Sequence, residues 1–255
     1  MFSNHAFFSF IRLTDSKHYR DYNEWHQLDH RPENLLLPGV AWGDRWALTA
    51  DCAELAVTPA AEYSALDFIA MYWFNDPVEQ SVAEWHELGE RSFQWGRRPE
   101  LNYVERPFVG FFSPVKGYVT PRVLVSADAL PFRPNRGVRV TLSRVRDTHS
   151  LDAEQAYRWH DTVAMPALLD ISGVAGGWTF SFLHKQRHAT VPGELPDFEP
   201  GSLRLRLLYL DEDPVQVEQE IRRQETEWAD AGVPGPAEEV LLSTPLRTII
   251  PWQDW

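Results

Sequence analysis

An α+β fold of two β-α-β-β-α-β halves, their sheets packed against each other as a barrel within one chain, follows from three observations. The first is an internal repeat. Trp25-His26, Pro32, Gly39-Val40-Ala41 and Gly43 return as Trp159-His160, Pro166, Gly173-Val174-Ala175 and Gly177, each pair 134 apart (160 − 26 = 134) without a gap. Such self-similarity constrains the fold before any single motif does. The second is the order of periodicities in each copy, where short apolar runs alternate with amphipathic helical stretches. The third is that runs such as AFFSFIRL (6–13) and DFIAMYWF (67–74) are apolar on both faces. Helices cover one face of such a sheet, so the other half's sheet is the simplest cover for the second face.

The elements follow in order. Ala6 to Leu13 reads as a buried strand, and Thr14-Asp15-Ser16 offers N-cap chemistry for a helix over 17–31. Pro32 is expected to end that helix, because the residue before a proline avoids the helical region. Pro38-Gly39 turns the chain into a strand over 40–49, a small-residue loop (50–65) follows, and a third strand covers 66–74. Asp76-Pro77 is a helix start, with Asp as cap and Pro in the first turn, for a helix reaching about Gly96. The fourth strand is expected over 107–113. In the second copy Val138 to Arg146 aligns with the first strand, placing Ser143 on Ser9 and Arg146 on Arg12. After the insertion His184 to Ser202 the offset becomes 137, with Tyr209 on Tyr72, Asp213-Pro214-Val215 on Asp76-Pro77-Val78, and Pro251 on Pro114. The expected units are residues 1–115 and 138–255, each a ferredoxin-like split βαβ, joined by the Pro-containing connection 116–137.

Composition narrows the partners. With 255 residues, 44% of them hydrophobic and 13% aromatic, the chain can bury a large core, and no apolar run approaches the roughly 20 residues needed to cross a bilayer. A net charge of −13 disfavours nucleic acid and anionic membranes, which bind through clustered Lys and Arg. The short basic clusters Arg97-Arg98 and Lys185 to Arg187 read as solvated loops. The opening MFSNHAFFSFIRL lacks secretory features, and the single Cys52 has no internal disulfide partner, so a soluble cytoplasmic protein is expected.

The repeat, together with Trp25, His30, Pro32 and Pro38-Gly39 at the helix-to-strand corner, resembles the dimeric α/β-barrel superfamily in a fused, tandem form, and its EthD-like branch in particular. That superfamily holds polyketide cyclases and dehydratases, lactone isomerases, cofactor-free monooxygenases and haem enzymes, so the resemblance implies a barrel and a small-molecule substrate rather than one reaction. The chain departs from single-unit members in one respect: Ala164 stands where the first copy has His30.

On an ideal helix Tyr19, Tyr22, His26, Asp29 and His30 share an arc of about 100°. A helix that turns these groups toward its sheet has given up hydrophobic burial there, which points to a polar pocket between helix and sheet. Acid–base work is the functional reading: His30 as base or acid, His26 as its partner, Asp29 as orienting carboxylate and Tyr22 as hydrogen-bond donor, acting on an aromatic or polyketide-like molecule without a cofactor. The structural alternative has both histidines hydrogen-bonded at the rim. Two histidines four apart could also ligate a metal, but the Gln27-Leu28-Asp29 between them lacks the metalloprotease pattern and no third ligand is evident, so none is assigned. Trp25, Trp42, Trp46, Trp73 and Tyr72 are the candidates for an aromatic substrate wall, against the alternative that strand tryptophans are core. His160, central in the stripe Ala153, Ala156, Tyr157, Val163 and Ala164, is a core histidine or, in a competing reading, the ligand of a haem in an oxidoreductase or dehydratase. A non-catalytic small-molecule-binding barrel is the third reading. His86 reads as a surface residue, and His184 and His188 sit in a crossing that could form a lid. Either a monomer or a homodimer fits.

Overall fold

The computed structural model describes residues 2–186, 197–231 and 238–253. The first half supplies β1 (Ala6–Leu13), β2 (Val40–Ala47), β3 (Phe68–Phe74) and β4 (Val104–Val119). The second supplies β5 (Gly137–Val145), β6 (Val174–Lys185), β7 (Leu203–Leu210) and β8 (Glu238–Thr248). All pair antiparallel in one closed barrel of order β1-β3-β2-β8-β5-β7-β6-β4. Each half therefore contributes four neighbouring strands in the same internal order, and the two sheets meet edge to edge as well as across the interior. The two seams differ: β4 and β6 pair along nine positions, from Gly110–Lys185 to Val119–Gly176, whereas β2 and β8 pair only through Trp46–Thr248 and Ala47–Arg247.

Strand alternation sorts the side chains into two layers. Phe8, Phe10, Trp46, Trp73, Phe112 and Phe180 fill the barrel with leucines of β7 and β8, all but fully buried. Each such side chain contributes roughly 1.5–3 kcal/mol through burial. The opposite faces of β1 and β3 carry Phe7, Ser9, Ile11, Ala70 and Tyr72 toward the helices.

The helices cover the outside. Helix α1 spans residues 19–35 in three pieces: Tyr19–Trp25 and Arg31–Leu35 are α-helical, and His26–His30 is a single π turn in which the Arg31 N–H donates to the His26 carbonyl. The helix thus continues past Pro32 instead of ending there. In a regular helix Pro32 would leave the Leu28 carbonyl without its donor and press its ring against it; one wider turn relieves both. The same device recurs 134 residues on. Helix α2, named for chain order, is Val78–Gln94, and α3 spans residues 151–170, with a π turn at His160–Ala164 closed by Met165 N–H to His160 O ahead of Pro166. Helix α4 is Pro214–Asp230, capped by Asp213, whose Oδ1 accepts from Val215 N at 2.9 Å. Asp76 plays no such part, since Pro77 is the N-cap residue of α2 and makes no side-chain cap.

Two boundaries shift. β4 runs on to Val119 beside β6, so residues 116–119 belong to the strand and the connection is 120–136. That connection makes two 3₁₀ turns, Pro121–Val123 and Ala127–Phe132, and Arg122 and Arg133 anchor it on Asp211. Residues 187–196, with His188, lie outside the described residues. No described helix is long and apolar enough to cross a membrane.

The strand register also corrects one alignment. Tyr72 pairs with Phe7 and faces the helices, whereas Tyr209 lies in the barrel interior. Thr141, the counterpart of Phe7 (7 + 134), pairs with Arg206, so across β5 it is Arg206 (72 + 134) that occupies the place of Tyr72, while across β6 it is Leu208, which pairs with Gly177 as Tyr72 pairs with Gly43. A shift by three residues reverses the face of a strand, which is why Tyr209 points inward.

Candidate functional site

A cavity of about 120 Å³ lies between the outer face of the first-half sheet and helices α1 and α2. From α1 come Tyr22, Trp25, His26, His30 and Asn34; from the sheet Ser9, Tyr72 and Arg106; from α2 and the chain after it His86 and Arg98. The π turn sets this group. Its extra residue rotates the following turn, so that Trp25 and His30 stack at 4.7 Å between ring centroids and His26 meets His30 edge-on at 5.1 Å. Asp29 is turned outward, where its Oδ2 lies 2.8 Å from Arg97 Nη2. It therefore pairs with Arg97, which also reaches Glu33, and orients neither histidine.

Both imidazoles are uncharged at neutral pH. Burial lowers His30 to about 3, helped by the positive charges of Arg106, Arg45 and Arg98. Burial also holds His26 well below the ordinary range, with Arg45 and His30 adding to it. His26 Nδ1 lies 3.3 Å from Gln27 Oε1. Tyr72 is pushed up by burial and stays protonated. Asn34 Nδ2 donates to Tyr72 Oη at 3.3 Å and to the His30 carbonyl at 2.7 Å, tying the phenol to the helix. Beneath Tyr22 lies the fully buried Arg45, its guanidinium 5.0 Å from the Tyr22 ring and 4.3 Å from that of Phe68, bonded to Asn23 Oδ1 at 2.6 Å. Burial lowers Arg45 to about 10, which leaves it charged.

Of the predicted residues, the structure brings Tyr22, Trp25, His26, His30 and Tyr72 together. Trp42, Trp46 and Trp73 lie instead in the barrel interior, on the far side of the sheet. Their strand parity decides this: Trp73 follows the outward Tyr72, and Trp46 follows the outward Arg45. His86 is not a bystander, since it lines the cavity and its Nε2 accepts from Gln186 Nε2 at 2.6 Å. Arg98 departs from the expected solvated loop in the same way. Ser9, Asn34, Arg98 and Arg106 also line the cavity and are not among the residues that the helix arc points to. Ser9 left a signal, a polar residue inside an otherwise apolar run and repeated as Ser143; Arg106 left none.

In the second half His160 is nearly buried and lies 3.7 Å from Asp161 Oδ1. Burial lowers it to about 3, with Arg206 contributing. Arg206 pairs with Glu238 through two bonds of 2.6 and 2.7 Å. Burial pushes Glu238 up, but the Arg206 hydrogen bonds outweigh it and hold the carboxyl below its usual range. His160 lines neither the cavity above nor a larger one of about 810 Å³ at the β2–β8 seam. Among the described residues no three His, Cys, Asp or Glu side chains are grouped to hold a metal ion.

No family model matches the chain, and no curated protein sequence does. Among solved structures it aligns with a candidate monooxygenase of Fusobacterium nucleatum subsp. nucleatum at TM-score 0.53 and 8% identity, over 98% of this chain and 94% of that one. It also aligns with an anthrone oxidase-like protein (TM-score 0.43, 9% identity, 97% and 92% covered) and a candidate chlorite dismutase (TM-score 0.44, 10% identity, 96% and 94% covered). At these identities the first likeness is one of fold, the dimeric α/β barrel. Fold and cavity together define an α+β barrel with a cavity under its first helix.

Proposed function

We propose that the first-half cavity is an active site for cofactor-independent proton transfer on a small aromatic or polyketide-like molecule, in a tandem, EthD-like member of the dimeric α/β-barrel superfamily. The observation that carries this reading is the pair of uncharged imidazoles, His26 and His30, set beside the protonated Tyr72 in one cavity. A neutral imidazole is a proton acceptor, and His30 takes a proton from a carbon or oxygen acid of the substrate. The Tyr72 hydroxyl, whose oxygen accepts from Asn34, keeps its own proton free to donate to the oxyanion that develops on a neighbouring carbonyl. The proton then returns to another atom of the substrate in an isomerisation, or leaves with hydroxide as water in a dehydration. Trp25, stacked on His30, forms the wall for the ring.

The test is exchange of the benzylic protons of phenylpyruvate, which lie beside a ketone and a carboxylate, in D₂O, followed by proton NMR. Wild-type protein is expected to accelerate exchange above the buffer rate, and His30→Ala to return it to that rate with the fold intact. A wild-type rate equal to buffer, or an unchanged rate in His30→Ala, overturns the assignment.

A further inference from the structure

The walls of this cavity carry a charge opposite to that of the chain. The sequence has 37 Asp and Glu against 24 Lys and Arg, yet Arg98 and Arg106 line the cavity while no described Asp or Glu does. No carboxylate among the described residues lies within salt-bridge distance of either arginine, although the charge of Glu90 acts on Arg98: Arg98 lies against the Phe93 ring at 4.6 Å, and the neighbouring Arg97 takes Asp29 and Glu33. Three donors on lining residues, Ser9 Oγ, Trp25 Nε1 and Arg98 Nε, are buried without an acceptor. Buried donors in native proteins are nearly always satisfied, so a group of three around one cavity calls for an acceptor-rich occupant. The volume, about 120 Å³, is below the roughly 150 Å³ of an apolar cavity that accepts benzene, which limits an occupant to a single ring at most.

We infer that the cavity binds a single-ring aromatic anion, a carboxylate or phenolate, with the charged oxygens on Arg98 and Arg106 and the ring against Trp25 and His30. This names the substrate class for the site proposed above and rests on that reading for its chemical meaning, though binding can be measured without turnover. It also explains how a base held so weakly basic can act. The positive charges of Arg106 and Arg98 help keep His30 uncharged in the empty cavity. An anion that neutralises them raises the basicity of His30, so the substrate switches on its own acceptor.

Benzoate and its neutral isostere benzamide are the probes, titrated into the full chain by calorimetry and by NMR of 15N-labelled histidine. Benzoate is expected to bind about tenfold or more tightly than benzamide, as charge-assisted hydrogen bonds to guanidinium imply, and to move the His30 titration upward where benzamide does not. Arg98→Gln with Arg106→Gln should erase the preference; Arg98→Lys, which keeps the charge, should retain part of it and controls for misfolding. Equal affinity for the two probes, no binding of benzoate, or a preference that survives the double glutamine variant overturns the proposal. The two readings separate cleanly. Benzoate binding without proton exchange in the wild type removes only the proton-transfer reading, and exchange without a preference for benzoate removes only the anion site.

Discussion

Helices α1 and α3 share a π turn, a following proline and a leading histidine at the same offset, and they differ in what stands opposite. Opposite α1 the sheet offers Tyr72, and Arg106 has no ion-pair partner among the described residues. Opposite α3 the place that Tyr72 holds beside β1 is taken, beside β5, by Arg206, paired with Glu238. Glu238 pairs with Val145, the counterpart of Ile11 (11 + 134); in the first half the β4 residues beside Ile11 are Arg106 and Pro107, between the pairs Phe10–Phe108 and Arg12–Glu105. A carboxylate thus stands where the first half has a cation, and Ala164 and Leu168 replace His30 and Asn34. One half sets two arginines without an ion pair to a described carboxylate beside two imidazoles, and the other pairs its arginine with Glu238. A shared backbone device therefore does not imply a shared site.

Substitutions at the paired histidines test this division most strongly. His30→Ala should cost about 100-fold or more in proton exchange, the scale of a lost general base, whereas His160→Gln should leave the rate within about twofold. A comparable loss at His160 would return function to both halves. Next come the paired glycines. An added Cβ at Gly177 would lie 2.5 Å from the Leu207 carbonyl oxygen, and one at Gly43 would lie 2.3 Å from the Tyr72 ring. Gly177→Ala presses on backbone and should lower stability by about 1–3 kcal/mol, read by urea unfolding. Gly43→Ala displaces the Tyr72 ring and should cost less stability but more exchange rate.

The pH dependence should be common to both halves. His30 and His160 titrate near 3 when folded and near 6.5 when unfolded. Between those values the unfolded chain binds protons that the folded chain does not, so stability falls as pH drops from about 6.5 toward 3 and is unaffected by these groups above it. Each histidine contributes about 1.4 kcal/mol per pH unit in that window. Unfolding curves at several pH values should be flattened equally by His30→Gln and His160→Gln; flattening by only one would show that the halves differ in burial too. The smallest effect is at Asp29. Its pairing with Arg97 is on the surface, so Asp29→Asn should change stability by about 0–1 kcal/mol and leave exchange untouched, whereas an orienting carboxylate would lose rate.

The sequence by itself determined the architecture, because burial periodicity is local: each strand announces its two apolar faces, and the repeat of Trp-His, Pro and Gly announces two copies of one unit. It also placed Tyr22, Trp25, His26 and His30 on one helix, since residues four apart must share a face. Two things lay beyond it. The π turn depends on how the chain accommodates Pro32 under tertiary packing, and that turn moved Asp29 out of the site. Strand parity and the register of β7 decided that Trp42, Trp46 and Trp73 enter the barrel, that Tyr209 is no counterpart of Tyr72, and that Arg98 and Arg106 converge on histidines more than 60 residues away (98 − 30 = 68). Charge at the site was legible only after folding, because electrostatics acts through space, and a chain with a net charge of −13 gave no hint that its first-half cavity is positive.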